Sequence, residues 1–264
     1  MKITVIQPAY HAGENPDERI AEFLINELKN AQGDLIVLPE YSNAGGTSNA
    51  EDELRALPRA AFMLDIASEQ ARIKRAYVCI NVIERRNSDI KNSTYLFDKN
   101  GEIAFIYDKI HLPPSEIKLG VRRGDGECVC TLDGIKFAFM TCYDVYFNEQ
   151  IEYISSQKPD IILIPGYQRG ERTDIIEAQN KLLSFRTNAY IARSSFSMGT
   201  SEHGGNSMIV SPDGQIIANL KAEVGTISAD IEPKWKYLRP AGFGQGLVRN
   251  DDFISNGIVG IFRE

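Results

Sequence analysis

Three residues able to do acid–base and nucleophilic chemistry stand directly behind strongly apolar runs: Glu40 after LIVLP, Lys109 after IAFIYD and Cys142 after IKFAFMT. Such runs predict core strands, and LIVL closed by Pro39 reads as one buried on both faces. In α/β sheets, reactive groups collect at carboxyl ends of strands, where side chains leave the packed layer and meet a crevice. A thiol with a pKa near ~8.5 is only a few per cent thiolate at neutral pH, so a cysteine nucleophile needs a base, a cation or both. Glu40 and Lys109 are one of each. Taken singly, Cys142 reads as a small buried hydrophobe, Lys109 as a solvated charge and Glu40 as a loop residue. Their joint occurrence at three strand ends carries the functional reading.

The elements that must position these groups follow a βαβ rhythm. KITVIQ leads to a helix from Pro16, with Asn15 as its cap, Ile20, Phe23, Leu24 and Leu28 at helical spacing, and Gly33 as its stop. A second helical stretch spans roughly 51–74, broken near Pro58, before the strand AYVCINVIE. Hairpins follow around Lys99-Asn100-Gly101 and Asp133-Gly134, then a helix over 148–157, the buried strand IILIP, a helix over 173–187 and the strand AYIARSSFSM. A hairpin at Asp213-Gly214 and the strand VGTISADIE complete the pattern, and the Gly-rich segment from Trp235 shows little periodicity. No Pro/Ser-rich linker divides the chain. The predicted fold class is α/β, a four-layer α-β-β-α sandwich of two mixed sheets with outer helices, in a single domain over 1–264 whose residues from about 235 form a C-terminal tail.

Composition bounds the partners. The chain has 264 residues, 43% hydrophobic and 25% charged, with 36 acidic against 29 basic residues and a net charge of −7. That is globular and acidic, which disfavours phosphate-backbone partners because these need clustered positive charge. No apolar run approaches the ~20 residues of a membrane helix, and the first ten residues lack signal-peptide character, so a cytoplasmic location is expected. Four cysteines are too few to staple a chain of this size, and the sequon Asn92-Ser93-Thr94 is expected to be idle. His11, His111 and His203 show no metal-ligand spacing, so neither metal nor other cofactor is expected. GFGQG at 242–246 lacks the context of a phosphate loop, and Ser-Phe-Ser at 195–197 lacks nucleophile-elbow glycines. The loop Gly166-Tyr167-Gln168-Arg169-Gly170 after IILIP should open on the same crevice as the three strand ends, with Tyr167 and Arg169 as pocket residues and Arg169 suited to a substrate carboxylate.

LPEY at 38–41, YDKIHL at 107–112 and TCYD at 141–144, in that order, resemble the three signature segments of the nitrilase, or carbon-nitrogen hydrolase, superfamily. The resemblance runs from the opening strand and its Gln7 to the Pro212-Asp213-Gly214 hairpin. It implies that Cys142 attacks an amide carbonyl, that Glu40 moves the proton, and that Lys109 and the backbone N–H of Tyr143 face the developing oxyanion. It also implies that Glu116, in the loop after Lys109, is a second glutamate orienting the lysine or the hydrolytic water. Tyr146 and Asn148 stand where many relatives carry Arg and Pro, and the helix over 173–187 departs from the family pattern. The implied activity is hydrolysis of a small amide, as an amidase or carbamoyl-amide hydrolase, through a cysteine thioester. A true nitrilase and a silent binding protein are the alternatives. A homodimer or higher homo-oligomer is implied, for which Trp235, Leu238 and Phe243 are available apolar residues.

Overall fold

The computed structural model describes residues 1–256 except Ala12 and Ser48. The first half runs β1 (Lys2–Gln7), α1 (Pro16–Asn30), β2 (Leu35–Val37), α2 (Ala50–Ala56), α3 (Arg59–Lys74), β3 (Tyr77–Arg86), β4 (Asp89–Phe97), β5 (Ile103–Asp108) and the short α4 (Pro114–Leu119). The second half runs β6 (Val129–Leu132), β7 (Ile135–Phe139), a 3₁₀ turn (Cys142–Tyr146), α5 (Asn148–Gln157), β8 (Ile161–Pro165), α6 (Thr173–Thr187), β9 (Tyr190–Ser194), β10 (Met208–Val210) and β11 (Ile216–Asn219). β12 (Gly225–Asp230), β13 (Leu238–Pro240), β14 (Leu247–Arg249) and α7 (Asn250–Asn256) complete the described chain.

Two six-stranded mixed sheets result, ordered β12-β1-β2-β3-β4-β5 and β6-β7-β8-β9-β10-β11. Read in these directions, both have one antiparallel pair, two parallel pairs and two antiparallel pairs. β1–β5 thus correspond one by one to β7–β11, and the chain is built twice on one plan, with β12 and β6 as added edges.

Strand alternation shows how the layers assemble. Ile3, Val5, Leu35, Val37, Tyr77 and Cys79 point to a central core shared with Phe137, Phe139 and Leu163 of the second sheet. Their neighbours Ile6, Ile36, Val78 and Ile80 face the other way, onto Leu24 and Leu28 of α1 and Met63 and Ala67 of α3. A strand buried on both faces must be apolar at every position, which is why LIVL lacks polar alternation. α5 and α6 contribute Ile151, Ile154, Ile176 and Leu183 from the other side. The expected four-layer α-β-β-α order is the observed one.

Local differences have identifiable causes. Asn15 occupies the N-cap position of α1, but in a left-handed conformation with φ 49°, and its side chain caps nothing. α1 ends at Asn30, ahead of Gly33, with Ala31 turning the chain out of the helix. The Asp133-Gly134 hairpin has positive φ at both residues, 49° and 75°, as a type I′ turn requires. The segment from Trp235 is not an aperiodic tail throughout. β13 and β14 pair as a hairpin, with GFGQG at its turn, and α7 follows. Asn188 anchors this unit: its side chain donates to Tyr237 O (3.1 Å) and Asp251 Oδ1 (2.8 Å) and accepts from Tyr237 N (2.8 Å). Trp235, Leu238 and Phe243 are exposed on it.

Asn188 also adopts φ 52° as the C-cap of α6. Replacing it by Ala removes the three bonds and strains the left-handed turn, so Asn188→Ala should lower stability in urea unfolding by about 2–3 kcal/mol. Asn188→Gly keeps the turn without strain and should lose about 1 kcal/mol less.

Candidate active site

Pro39 lacks an N–H and ends the β2 ladder one residue before Glu40. The chain turns there with Tyr41 at φ 54°, held by Asn81, whose Oδ1 accepts from Tyr41 N (2.9 Å) and whose carbonyl accepts from Ser42 N (2.9 Å). Lys109 follows β5 directly and is fixed by Lys109 N donating to Asn92 O on β4 (2.9 Å). Glu116 sits on α4, a short helix opened by Pro113 and Pro114, not on an irregular loop.

These three side chains converge. Lys109 Nζ donates to Glu40 Oε1 and to Glu116 Oε1, each at 2.8 Å, and exposures are 2% for Lys109, 1% for Glu40 and 4% for Glu116. Asn92 Nδ2 donates to the same two oxygens at 2.8 and 2.9 Å, and Tyr41 OH donates to Glu116 Oε1 at 2.7 Å. Both Oε2 atoms are buried without a hydrogen-bond partner. Burial pushes Lys109 down, but the two carboxylates outweigh it and hold the ammonium well above its usual range. Burial is also the largest influence on Glu40, whose carboxyl is raised because Lys109 only partly offsets burial and the charge of Glu116.

Cys142 opens the 3₁₀ turn with φ 48°, a left-handed conformation that a non-glycine residue adopts only where its surroundings enforce it, at a cost of order 1–3 kcal/mol. The enforcement is visible. Thr141 and Asp144 form a reciprocal capping box, with Thr141 N donating to Asp144 Oδ2 at 2.8 Å. Asp144 also accepts from Tyr107 OH (2.6 Å) and His111 N (3.0 Å), and Thr141 Oγ1 lies 3.1 Å from Thr94 Oγ1. The turn from the second sheet is thereby bolted to β4, to β5 and to the segment after it. Burial and the charge of Glu40 raise the Cys142 thiol, with Lys109 opposing, so the resting sulfur is protonated.

Cys142, Glu40 and Glu116 line one cavity of about 380 Å³, whose walls include Tyr143, Tyr167 and Arg169. All three strand-end residues, and each supporting residue expected from the sequence, therefore lie at this cavity or directly beneath it. Tyr167 packs edge-on against Phe196 and Tyr10, and its hydroxyl accepts from Gly46 N at 2.9 Å. The Arg169 guanidinium lies over the rings of Tyr167 (4.6 Å) and Tyr10 (5.1 Å) and donates to Tyr10 OH. Among the described residues it has no carboxylate within ion-pair distance.

Asn92 is the site residue that sequence reasoning missed. The sequence reading treats Asn92-Ser93-Thr94 only as an idle sequon, whereas Asn92, 1% exposed, bridges the two glutamates. The available signal was the run Asn92-Ser93-Thr94 inside a strand, because polar groups in a packed layer must find partners. Among the described residues no cluster of three or more His, Cys, Asp or Glu is arranged to hold a metal, and no helix is long and apolar enough to cross a membrane.

The family profile described as carbon-nitrogen hydrolase matches residues 2–238. The chain belongs to that family. Among curated relatives, this hydrolase is 28% identical over 229 residues to the 2-oxoglutaramate amidase of Bacillus subtilis, covering 82% of this chain and 85% of that one. It is 26% identical over 247 residues to the 2-oxoglutaramate amidase of Paenarthrobacter nicotinovorans, covering 88% and 83%. The solved amidase of Nesterenkonia sp. AN1 superposes with a TM-score of 0.76 at 18% identity, covering 88% of this chain and 93% of that one, which establishes the shared fold.

Two measurements check these electrostatics. Lys109→Met leaves two buried carboxylates without their cation and should destabilise the fold by about 3–5 kcal/mol in denaturant unfolding, with Lys109→Met/Glu116→Gln recovering part of that loss. His111 is raised by its hydrogen bond to Asp144, against partial burial and with help from the charges of Asp144 and Glu149. Its stabilisation is therefore complete below its unfolded pKa of about 6.5 and lost as pH rises through the higher folded value. Urea titrations of wild type and His111→Gln from pH 5 to 9 should converge at the alkaline end.

Proposed function

We propose that the protein is an amidase in which Cys142 Sγ attacks the carbonyl carbon of a small carboxylate-bearing amide. Glu40 accepts the thiol proton as the carbon–sulfur bond forms and passes it to the leaving nitrogen, which departs as ammonia or an amine and leaves a thioester. Glu40 then takes a proton from water, the oxygen attacks the thioester carbon, and the acid is released as Cys142 regains its proton. Lys109 and the backbone N–H of Tyr143 stabilise the oxyanion in each half, contributions of about 2.7–4 kcal/mol per donor in comparable sites. Glu116 and Asn92 hold Lys109 and Glu40 at fixed separation.

The observation that carries this reading is the sharing of one ammonium by two carboxylates at 2.8 Å each beneath the cavity that Cys142 faces, with Glu40 Oε2 left unpartnered. A resting thiol held protonated suits it, because proton transfer to Glu40 is then coupled to attack. The substrate class rests on Arg169, an exposed guanidinium at the cavity wall that stacks on Tyr167 and, among the described residues, has no carboxylate within ion-pair distance. A planar guanidinium held in one orientation suits a planar carboxylate. The two 2-oxoglutaramate amidases among the relatives are named for such a substrate, an amide with a carboxylate at its far end.

Ammonia release from a panel of amides, with and without a terminal carboxylate, tests the proposal. Wild type should turn over the carboxylate-bearing amides, while Cys142→Ala and Glu40→Gln should fall by at least about a thousandfold. Activity retained by Cys142→Ala, or nitrile turnover exceeding amide turnover, would overturn it. Arg169→Met should raise KM for carboxylate-bearing amides by about ten- to a hundredfold, equivalent to ~1.5–3 kcal/mol, and leave neutral amides unchanged. Iodoacetamide should label Cys142 ahead of Cys79, Cys128 and Cys130, as read by peptide mass spectrometry. Resting acidity alone favours Cys130, raised by burial only to about 11, so this order requires Glu40 to assist at the cavity.

A further inference from the structure

The cavity holds more charge than the amide chemistry uses. Four carboxylates line it, those of Glu40, Glu53, Glu116 and Glu171, against the guanidinium of Arg169 and the ammonium of Lys109 beneath. Most of these groups are engaged within the protein. Lys109 is shared by Glu40 and Glu116, and Glu171 accepts from Tyr146 OH (2.6 Å) and from Arg172 N (3.1 Å). Glu53 differs: among the described residues its carboxylate accepts no hydrogen bond and has no cation within ion-pair distance. The basic residues next along the chain are taken, Arg55 by Asp52 and Arg59 by Asp17, each at 2.9 Å. On α2 the neighbours Glu51, Leu54 and Arg55 are exposed, whereas Glu53 is half-buried at the cavity. Glu53 and Arg169 are therefore the two unlike charges of this cavity that remain without an ionic partner.

We propose that Glu53 binds a substrate ammonium while Arg169 takes the carboxylate beside it, so that the substrate is an α-amino acid whose side chain ends in an amide. Both groups stand in the wall of one cavity of about 380 Å³, outside ion-pair distance of each other. Unlike charges that share a cavity without meeting are best satisfied by a ligand that carries both signs. A carboxylate alone would satisfy Arg169 and set a further negative charge near Glu53, where carboxylates already outnumber cations. Burial raises the Glu53 carboxyl, the charge of Glu116 adds to this, and Arg169 opposes it, so a cation seated beside Glu53 offsets the unfavourable influences. In an α-amino acid the ammonium and the carboxylate share one carbon. One wall can then hold both while the side-chain amide extends to Cys142, where water replaces the nitrogen and ammonia leaves.

This inference rests on the amidase reading, and four related amides separate the two. Glutamine, as either enantiomer, carries both groups, glutaramate the carboxylate alone, 4-aminobutyramide the ammonium alone, and butyramide neither. Measured by ammonia release, wild-type kcat/KM should be about tenfold or more higher for glutamine than for glutaramate, and higher for 4-aminobutyramide than for butyramide by a similar factor. Glu53→Gln should lower the glutamine-to-glutaramate ratio by about ten- to a hundredfold, chiefly through KM. Glu53→Lys should reverse the preference, and it decides the question if Glu53→Gln does not fold. Arg169→Met should instead lower the ratio of glutamine to 4-aminobutyramide. A glutamine-to-glutaramate ratio unmoved in the Glu53 variants, as it would be if Glu53 only oriented Arg169, overturns the ammonium site and leaves the amidase reading standing. So does a wild type that prefers glutaramate or 2-oxoglutaramate to glutamine. A wild type that releases ammonia from none of these amides overturns both.

Discussion

The structure turns on one buried ammonium shared by two buried carboxylates. An isolated charge in a packed interior is too costly to persist, and two carboxylates in contact without a cation would drive one of them to take up a proton. Lys109 resolves both problems with one group, placing Nζ 2.8 Å from Glu40 and from Glu116. Asn92 and Tyr41 satisfy the remaining demand on the same oxygens, which leaves the two Oε2 atoms as the unsatisfied capacity of the cluster. An arrangement with so few alternatives fixes the ends of β2 and β5, the helix α4 and the middle of β4 relative to one another.

The duplicated plan of the fold explains why the site lies where it does. The first half contributes Glu40, Asn92, Lys109 and Glu116, and the second contributes Cys142, Tyr167 and Arg169. Neither half contains both the charge cluster and the thiol. Asp144 joins them, since it caps the turn bearing Cys142 and accepts from Tyr107 and His111 of the first half. The left-handed backbone at Cys142 is tolerable because this bolting holds the turn on both sides.

A sulfur raised by burial and by Glu40, with Lys109 opposing, depends on a neighbouring base to become a nucleophile. Charges placed farther off then matter more than their distance suggests, because the low dielectric of the interior transmits them.

Much of this was legible in the sequence, for a physical reason. Glu40, Lys109 and Cys142 each follow an apolar strand, and the hydrophobic period that marks the strand also marks its end. The doubly buried strands, the hairpin turns and the four-layer order follow from patterns local to a few residues. Asn92 was not legible, because inside a strand its role depends on which neighbours the sheet brings beside it. The same holds for Asn188, which orders the segment after Trp235 from 49 residues away. Sequence alone determined which groups stand at strand ends, since burial patterning is written residue by residue. Tertiary structure decided which of them share a cation or a wall, since electrostatic energy depends on distances that only the folded chain sets.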